Sequence, residues 1–274
     1  MGMCTVQAVP VIKLHHQDEG LFFYQSMNVL GIDIGGSALK GAPVDTTTGR
    51  LLAERFRVPT DDLLSPAAMT RALGEIVAQF SWKGPIGIGF PGVVHGSKIL
   101  TSANLHPGFI GCDAGKLFSK GLGLPVTLLN DADAAGLAEV RFGAGHDVEG
   151  TVLMLTFGTG VGSALFVDGL LYPNSELGHI PMKGRAAEKR VSAAAKESKG
   201  LTYKKWAHRV NEYLTIVQTI LRPGLIIVGG GISADYKKWF KHLDIDTRIV
   251  PAKFFNESGI VGAALYAAQK QKKR

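Results

Sequence analysis

Two aspartates, a glutamate, a histidine and three clusters of glycine carry the chemistry this sequence can offer. The apolar run Pro125–Leu129 leads into Asn130-Asp131-Ala132-Asp133 and then a helical pattern over Ala134–Phe142. A carboxylate at the end of such a strand lies where open α/β sheets bind ligands, so an aspartate here can serve as a base; it can equally cap the helix that follows. With two available, capping is assigned to Asp133 and chemistry to Asp131. Farther along, YPNSELGHI sets Glu176 and His179 three residues apart, on one side of a helical turn or compact loop. No Cys or second His follows closely, so the pair suits sugar hydroxyls better than a metal ion. Asn104, in the unpatterned loop TSANLHPGF, either offers paired donor and acceptor groups to a sugar diol or forms an Asx-turn.

The glycines imply the second substrate. LGIDIGGSALK (30–40) and LTFGTGVGSALF (155–166) are near-copies, each an apolar strand, a glycine-dense reversal and a return strand. Each reads as a hairpin rather than strand–turn–helix. Reversals at Gly35-Gly36-Ser37 and Gly158-Thr159-Gly160 leave backbone amides open to an anion, because no side chain blocks the approach. Gly229, Gly230 and Gly231 form a third such cluster. Two hairpins of this kind, in similar half-domains facing one another, can hold a phosphate chain from both sides. Two look-alike motifs fail on context. Gly87, Gly89 and Gly92 spell G-x-G-x-x-G, but Pro91 interrupts it and no helix follows to receive a pyrophosphate. Ser37-x-x-Lys40 matches the nucleophile motif of penicillin-recognising enzymes, yet S-D-N and K-T-G are missing, so Lys40 is grouped with the phosphate hairpin.

The elements that must position these groups follow from periodicity and punctuation. Strands are expected over 28–34, 39–44 and 51–58, then a helix opened by Ser65-Pro66 and running to Phe80, then a strand at 85–90. Tyr203–Leu221 reads as a helix stopped by Arg222-Pro223-Gly224, Leu225–Val228 as the strand delivering the third glycine cluster, and Ser258–Ala268 as the last helix. Residues 1–26 show no sustained periodicity and read as a disordered leader or an alternative translation start.

Composition bounds the class. The chain has 274 residues, 46% of them hydrophobic, enough for a sizeable core. No apolar run approaches the ~20 residues of a membrane helix, and the start lacks the basic-then-apolar order of a secretory signal. With only Cys4 and Cys112, a disulfide framework is not expected, and a cytoplasmic protein without a membrane partner is. The net charge of +7 is concentrated: over 183–209 nine basic residues face only Glu188 and Glu197, and the tail 269–274 adds four more. Such a run is either a solvated helix face or the seat of an anionic partner. Nothing resembles a nucleic-acid-binding module.

Taken together, Asp33-Ile-Gly-Gly-Ser37, Leu155–Gly162, Glu176-Leu-Gly-His179 and Ile227–Gly231 resemble the ROK sugar kinases of the actin and hexokinase superfamily, over about Met27–Ala268. GGSALKGAPVD, LTFGTGVGSALF, NSELGH and AAEKRVSAAA are most similar to the polyphosphate-using glucokinases of that family. The resemblance implies an α/β protein of two ribonuclease-H-like domains, 27–133 and 134–268, around a central cleft, with the last helix packing back on the first domain. It implies glucose, inorganic polyphosphate and ATP as partners, a homodimer, and Asp131 as base for the sugar's primary hydroxyl. Asn104, Asn130, Glu176, His179 and Glu188 match sugar-binding positions, and Asp33 the acid near magnesium. Lys183, Arg185, Lys189 and Arg190 then become a path for the polyphosphate tail. Most ROK proteins carry a cysteine-rich zinc loop where this chain has IPMKGRAAEKRVS, so no zinc is expected. A leader of 26 residues cannot hold a winged helix-turn-helix, so neither a repressor nor a nucleic-acid partner is expected.

Overall fold

The computed structural model describes residues 27–60, 64–102 and 105–271; the leader, Asn104 and the tail residues 272–274 lie outside the described residues. In chain order the first half contains β1 (Asn28–Ile34), β2 (Ala38–Asp45), β3 (Arg50–Leu51), β4 (Phe56–Pro59), α1 (Pro66–Gln79), β5 (Ile86–Phe90), β6 (Val94–His95), β7 (Lys98–Ile99), α2 (Ala114–Leu122) and β8 (Val126–Asn130). The second half contains α3 (Asp131–Phe142), β9 (Thr151–Phe157), β10 (Val161–Val167), β11 (Leu170–Tyr172), β12 (Pro181–Met182), β13 (Arg185–Ala186), α4 (Glu188–Val191), α5 (Ala193–Ser198), α6 (Tyr203–Leu221), β14 (Leu225–Gly229), α7 (Tyr236–Trp239), β15 (Arg248–Pro251) and α8 (Ser258–Gln271).

Two sheets share one plan. In the first the order is β3-β2-β1-β5-β8, with an antiparallel β1/β2 hairpin extended by parallel β5 and β8. The second runs β11-β10-β9-β14-β15, again with an antiparallel hairpin, β9/β10, extended by two parallel strands. Both glycine hairpins therefore occupy the same place in their sheets. Apolar faces explain the layering: α1 and α2 cover the first sheet, burying Met69, Leu73, Ile76 and Phe118, while α6 covers the second with Trp206, Val210, Tyr213 and Val217. The helices α3 and α8 pack on each other between the sheets, α8 against β1 and β5, α3 against β9 and β10. Their approach is so close that a β-carbon at Gly262 would overlap the Ala134 carbonyl.

Two expectations are corrected. The strand expected over 51–58 is split, because Leu52-Ala53-Glu54-Arg55 is exposed; β3 and β4 pair separately with the two ends of β2. The helix after β8 begins at Asp131, and its cap is Asn130 rather than Asp133: Asn130 Oδ1 accepts from Asp133 N at 3.0 Å.

Candidate active site

Near the end of β1, Asp33 lies half-buried beside the first reversal. Burial pushes its carboxyl above the ordinary range, with Lys40 partly opposing. Register explains that pairing, since Asp33 lies opposite Lys40 and Lys40 opposite Arg57, a row across β1, β2 and β4. Arg57 also donates to the Ser37 carbonyl at 3.3 Å, steadying the reversal that Gly35 N closes onto Ala38 O. A β-carbon at Gly259 would press on the Asp33 carboxylate, so the start of α8 closes the back of this acid.

The second reversal is closed by Gly158 N on Gly160 O at 3.0 Å and held from behind by Ala194 N on Gly158 O at 3.1 Å. The third glycine cluster lies against it: Gly230, at φ 80°, is packed on the Phe157 backbone. Between these two cradles and α5 opens a cavity of about 340 Å³, bordered by Thr159, Lys196, Glu197, Tyr203, Gly231 and Asp235. Tyr203 donates to Asp235 Oδ2 at 2.6 Å, and its ring carries the Lys196 ammonium 4.3 Å from the centroid.

Asp131 is the first residue of α3, and its Oδ1 accepts from Ala132 N at 2.8 Å. Its neighbour Asn130 is buried, donating through Nδ2 to Gly92 O at 3.2 Å while capping the helix. Burial, then the charges of Asp33 and Glu176, push the Asp131 carboxyl up to about 7. Glu176 is raised too, by burial and by Glu188, with His179 opposing through a Glu176 Oε2 to His179 Nε2 contact of 3.4 Å. The Glu176–His179 turn is tied to β10 through Leu177 N on Ser163 Oγ at 3.0 Å. Asp33, Asp131, Glu176 and Glu188 are thus electrostatically linked in that order. So many acids at close quarters call for compensation by a cation or by hydroxyl donors.

Among the described residues no three His, Cys, Asp or Glu side chains gather as a metal site. Magnesium does not require one: it is commonly held by one or two carboxylates, with phosphate oxygens and water completing the octahedron. Asp33, beside the first cradle, fits that donor set.

The basic run is less uniform than its composition suggests. Lys183 is bound to Glu212 at 2.8 Å, Arg190 to the same carboxylate at 3.5 Å, and Lys189 to Glu188 at 3.1 Å. Arg185 has no carboxylate partner among the described residues, and neither has Arg209 on α6. Lys199, fixed by donation to the Lys189 carbonyl at 2.8 Å, is held below the usual lysine range, first by desolvation and then by Arg209, Arg185 and Arg190. Arg185, Lys199 and Arg209 therefore face one another as positive charge without a carboxylate, and Lys204 and Lys205 likewise have no carboxylate partner among the described residues. Sequence reasoning passed over Lys199 and Arg209 as individual residues and missed Arg57 entirely. A strand pairing of β4 with β2 would have placed Arg57 beside Lys40. Asn174 opens the NSELGH segment that carries part of the resemblance, but nothing in the sequence pointed to its partner Val94, 80 residues away.

Repeated hairpin sheets, three glycine cradles and an acid at the β8–α3 junction define a sugar-kinase architecture, and the chain belongs to the ROK family, whose model matches residues 29–191. It is 45% identical over 236 residues to the polyphosphate glucokinase of Mycobacterium tuberculosis, spanning 86% of this chain and 89% of that one. The inorganic polyphosphate/ATP-glucomannokinase of Arthrobacter sp. strain KM superposes with a TM-score of 0.86 at 43% identity, covering 89% of this chain and 99% of that one. A ROK glucokinase from Streptomyces griseus, solved with glucose and AMPPNP, shares the fold with a TM-score of 0.76 at 23% identity, covering 89% and 100%.

Proposed function

We propose that this protein is a glucokinase that moves the terminal phosphoryl group of inorganic polyphosphate, and of ATP, to the 6-hydroxyl of glucose. The observation that carries the reading is the position of Asp131, coupled to Asp33 on the phosphate side and to Glu176 on the sugar side. An acid between the two substrates, with its carboxyl poised near neutrality, is matched to taking a proton from an alcohol. In the reaction the glucose O6 attacks the terminal phosphorus, its proton passes to Asp131, and the bridging P–O bond breaks to release polyphosphate one unit shorter, or ADP.

Phosphoryl transfer passes through a loose transition state, so the protein contributes alignment and charge stabilisation more than covalent chemistry. Lys40, Arg57 and the amides of Gly36 and Ser37 meet the donor from one wall, and those of Thr159, Gly160, Gly229, Gly230 and Gly231 from the other, while the Gly35 and Gly158 N–H groups, expected to face the anion, are used in closing the reversals. Magnesium beside Asp33 supplies further charge neutralisation when bound. Glucose is held by Asn104, Glu176, His179 and Glu188, and by the Asn130 Nδ2 hydrogen that Gly92 does not use. The cavity between the second and third cradles takes the nucleoside of ATP. Arg185, Lys199 and Arg209 take the inner phosphates of a long polyanion, with Lys183, Lys189 and Arg190 held back by their carboxylates. No described helix is long and apolar enough to cross a membrane. A cytoplasmic homodimer is part of the same proposal and rests on the family resemblance.

A coupled assay of glucose 6-phosphate formation, run with polyphosphate and ATP side by side, tests the reading. Turnover with ATP alone would make the protein an ATP-dependent hexokinase, equal turnover of mannose a glucomannokinase, and glucose binding without turnover a sugar sensor.

A further inference from the structure

The loop before the Glu176–His179 turn is tied across the molecule at one residue. Asn174 sits in the left-handed region at φ 58°, which asparagine tolerates better than most residues. Its side-chain amide pairs with both backbone groups of Val94, Oδ1 accepting from Val94 N at 2.9 Å and Nδ2 donating to Val94 O at 2.9 Å. A neighbouring strand would make the same pair of bonds, but here a single side chain, 80 residues away in sequence, makes them. The backbone N of Asn174 donates in turn to Asp133 Oδ2 at 2.8 Å. One residue thus joins the β6–β7 hairpin of the first half, α3, and the sugar-side loop of the second half.

We propose that Asn174 and Asp133 are positioning residues that hold the two walls of the sugar site at one separation, so that glucose meets groups already in place. The proposal rests on the sugar-kinase reading of the site. On the first wall, Asn130 Nδ2 holds the Gly92 carbonyl, and Val93 N is held by Thr101 Oγ1 at 2.9 Å. The chain continues from Thr101 into the segment that carries Asn104. On the second wall, Ser175 Oγ donates to the Ser163 carbonyl at 3.0 Å and Leu177 N to Ser163 Oγ at 3.0 Å, bracketing Glu176. Asn174 is the bridge between these two hydrogen-bonded chains. Asp133 anchors the bridge although burying it is unfavourable: it is 1% exposed and its Oδ1 has no partner. It is not needed as the helix cap, which Asn130 provides. A buried acid without a capping duty, one residue past Ala132 from the base, is accounted for by the loop it fixes.

The test uses the full-length protein and Asn174→Gly, which keeps the left-handed backbone and the N–H to Asp133 while removing only the amide pair to Val94. We expect the Kd for glucose without donor, and the KM for glucose, to rise by roughly tenfold, the order expected for two lost neutral hydrogen bonds. The KM for polyphosphate should stay unchanged, a split that general destabilisation would not produce. Asp133→Asn keeps an oxygen for the Asn174 N–H and should bind glucose as wild type does, whereas Asp133→Ala should weaken it. Hydrogen exchange should quicken at Val94 and Leu177 in Asn174→Gly but not in β1 or β9. Unchanged glucose affinity in Asn174→Gly, or equal losses for glucose and polyphosphate, would overturn the proposal. Failure of the wild-type protein to bind glucose would instead overturn the sugar-kinase reading.

Discussion

The first and second glycine hairpins are the same device in the same place of two like sheets, yet they are furnished differently. The β1/β2 reversal has charged side chains beside it: Asp33 half-buried at its base, Lys40 and Arg57 in a row alongside. The β9/β10 reversal rests on an aromatic floor in which Phe157 packs against Trp206, Tyr213 and Trp239, with ring centroids 5.8–6.5 Å apart. Its own contribution to a ligand is backbone amide, and its cavity is walled by side chains already paired with one another, Tyr203 with Asp235 and Lys196 with the Tyr203 ring. The repeat therefore duplicates a scaffold and leaves the chemistry asymmetric. On the proposed reading, the first half offers charged side chains to the reacting phosphate, and the second a surface of already paired side chains to whatever trails behind it.

Removing the group that both halves converge upon should have the largest effect. Asp131→Asn should lower kcat by roughly 10²–10⁴-fold, the usual contribution of a general base, with glucose binding retained in a titration. Near-wild-type turnover would remove Asp131 from the mechanism. The same residue predicts the pH profile. A base must be ionised to act, and with the carboxyl pushed up to about 7 the ionised fraction declines about tenfold per pH unit below that value. The kcat/KM for glucose should therefore fall along that slope in acid and level off in alkali, and a profile flat down to pH 5 would contradict the assignment.

Next come the charged rows on either side. Arg57→Ala should raise the KM for polyphosphate and for ATP alike, by roughly tenfold, because both donors present the same terminal phosphates to that wall. Arg185→Glu with Arg209→Glu should instead separate the donors. Long-chain polyphosphate should lose several-fold more kcat/KM than ATP, and the dependence on salt should flatten, by the counterion logic that governs nucleic acids. Equal losses for both donors would move the polyanion path elsewhere and leave the second half with the nucleoside alone.

What could be read from the chain tracks how local each determinant is. Both hairpins, α1 with its Ser65 cap and α6 over Tyr203–Leu221 were legible because glycine reversals and helix stops act within a few residues. The break between β3 and β4 was not, since an alternating run that continues into exposed charge still scores as a strand. Composition likewise showed the basic run but not its neutralisation, because Glu212 lies 29 residues beyond Lys183. The exchange of roles between Asn130 and Asp133 has the same cause. Both residue types cap helices equally well, and what settles the matter is Asn174, 41 residues downstream of Asp133.

That exchange also yields the smallest prediction. Burial, with Asp131 and Glu176 adding to it, pushes the Asp133 carboxyl up to about 7, while the Asn174 N–H opposes. A group raised in the folded state favours folding below its unfolded value near 4, and this contribution is lost as pH rises through about 7. Asp133→Asn removes the titration and keeps the acceptor for Asn174. The difference in Tm between Asp133→Asn and wild type should then grow in favour of the variant from pH 5 to pH 8, by ~2–4 °C for each kcal/mol of buried charge relieved. Subtracting wild type cancels the titrating groups that do not interact with Asp133, so the change reports Asp133 together with its effect on Asp131 and Glu176. A constant difference across that range would mean that Asp133 reaches a compensating cation or water when ionised, and that the second half places charge on both sides of α3 at little cost to folding.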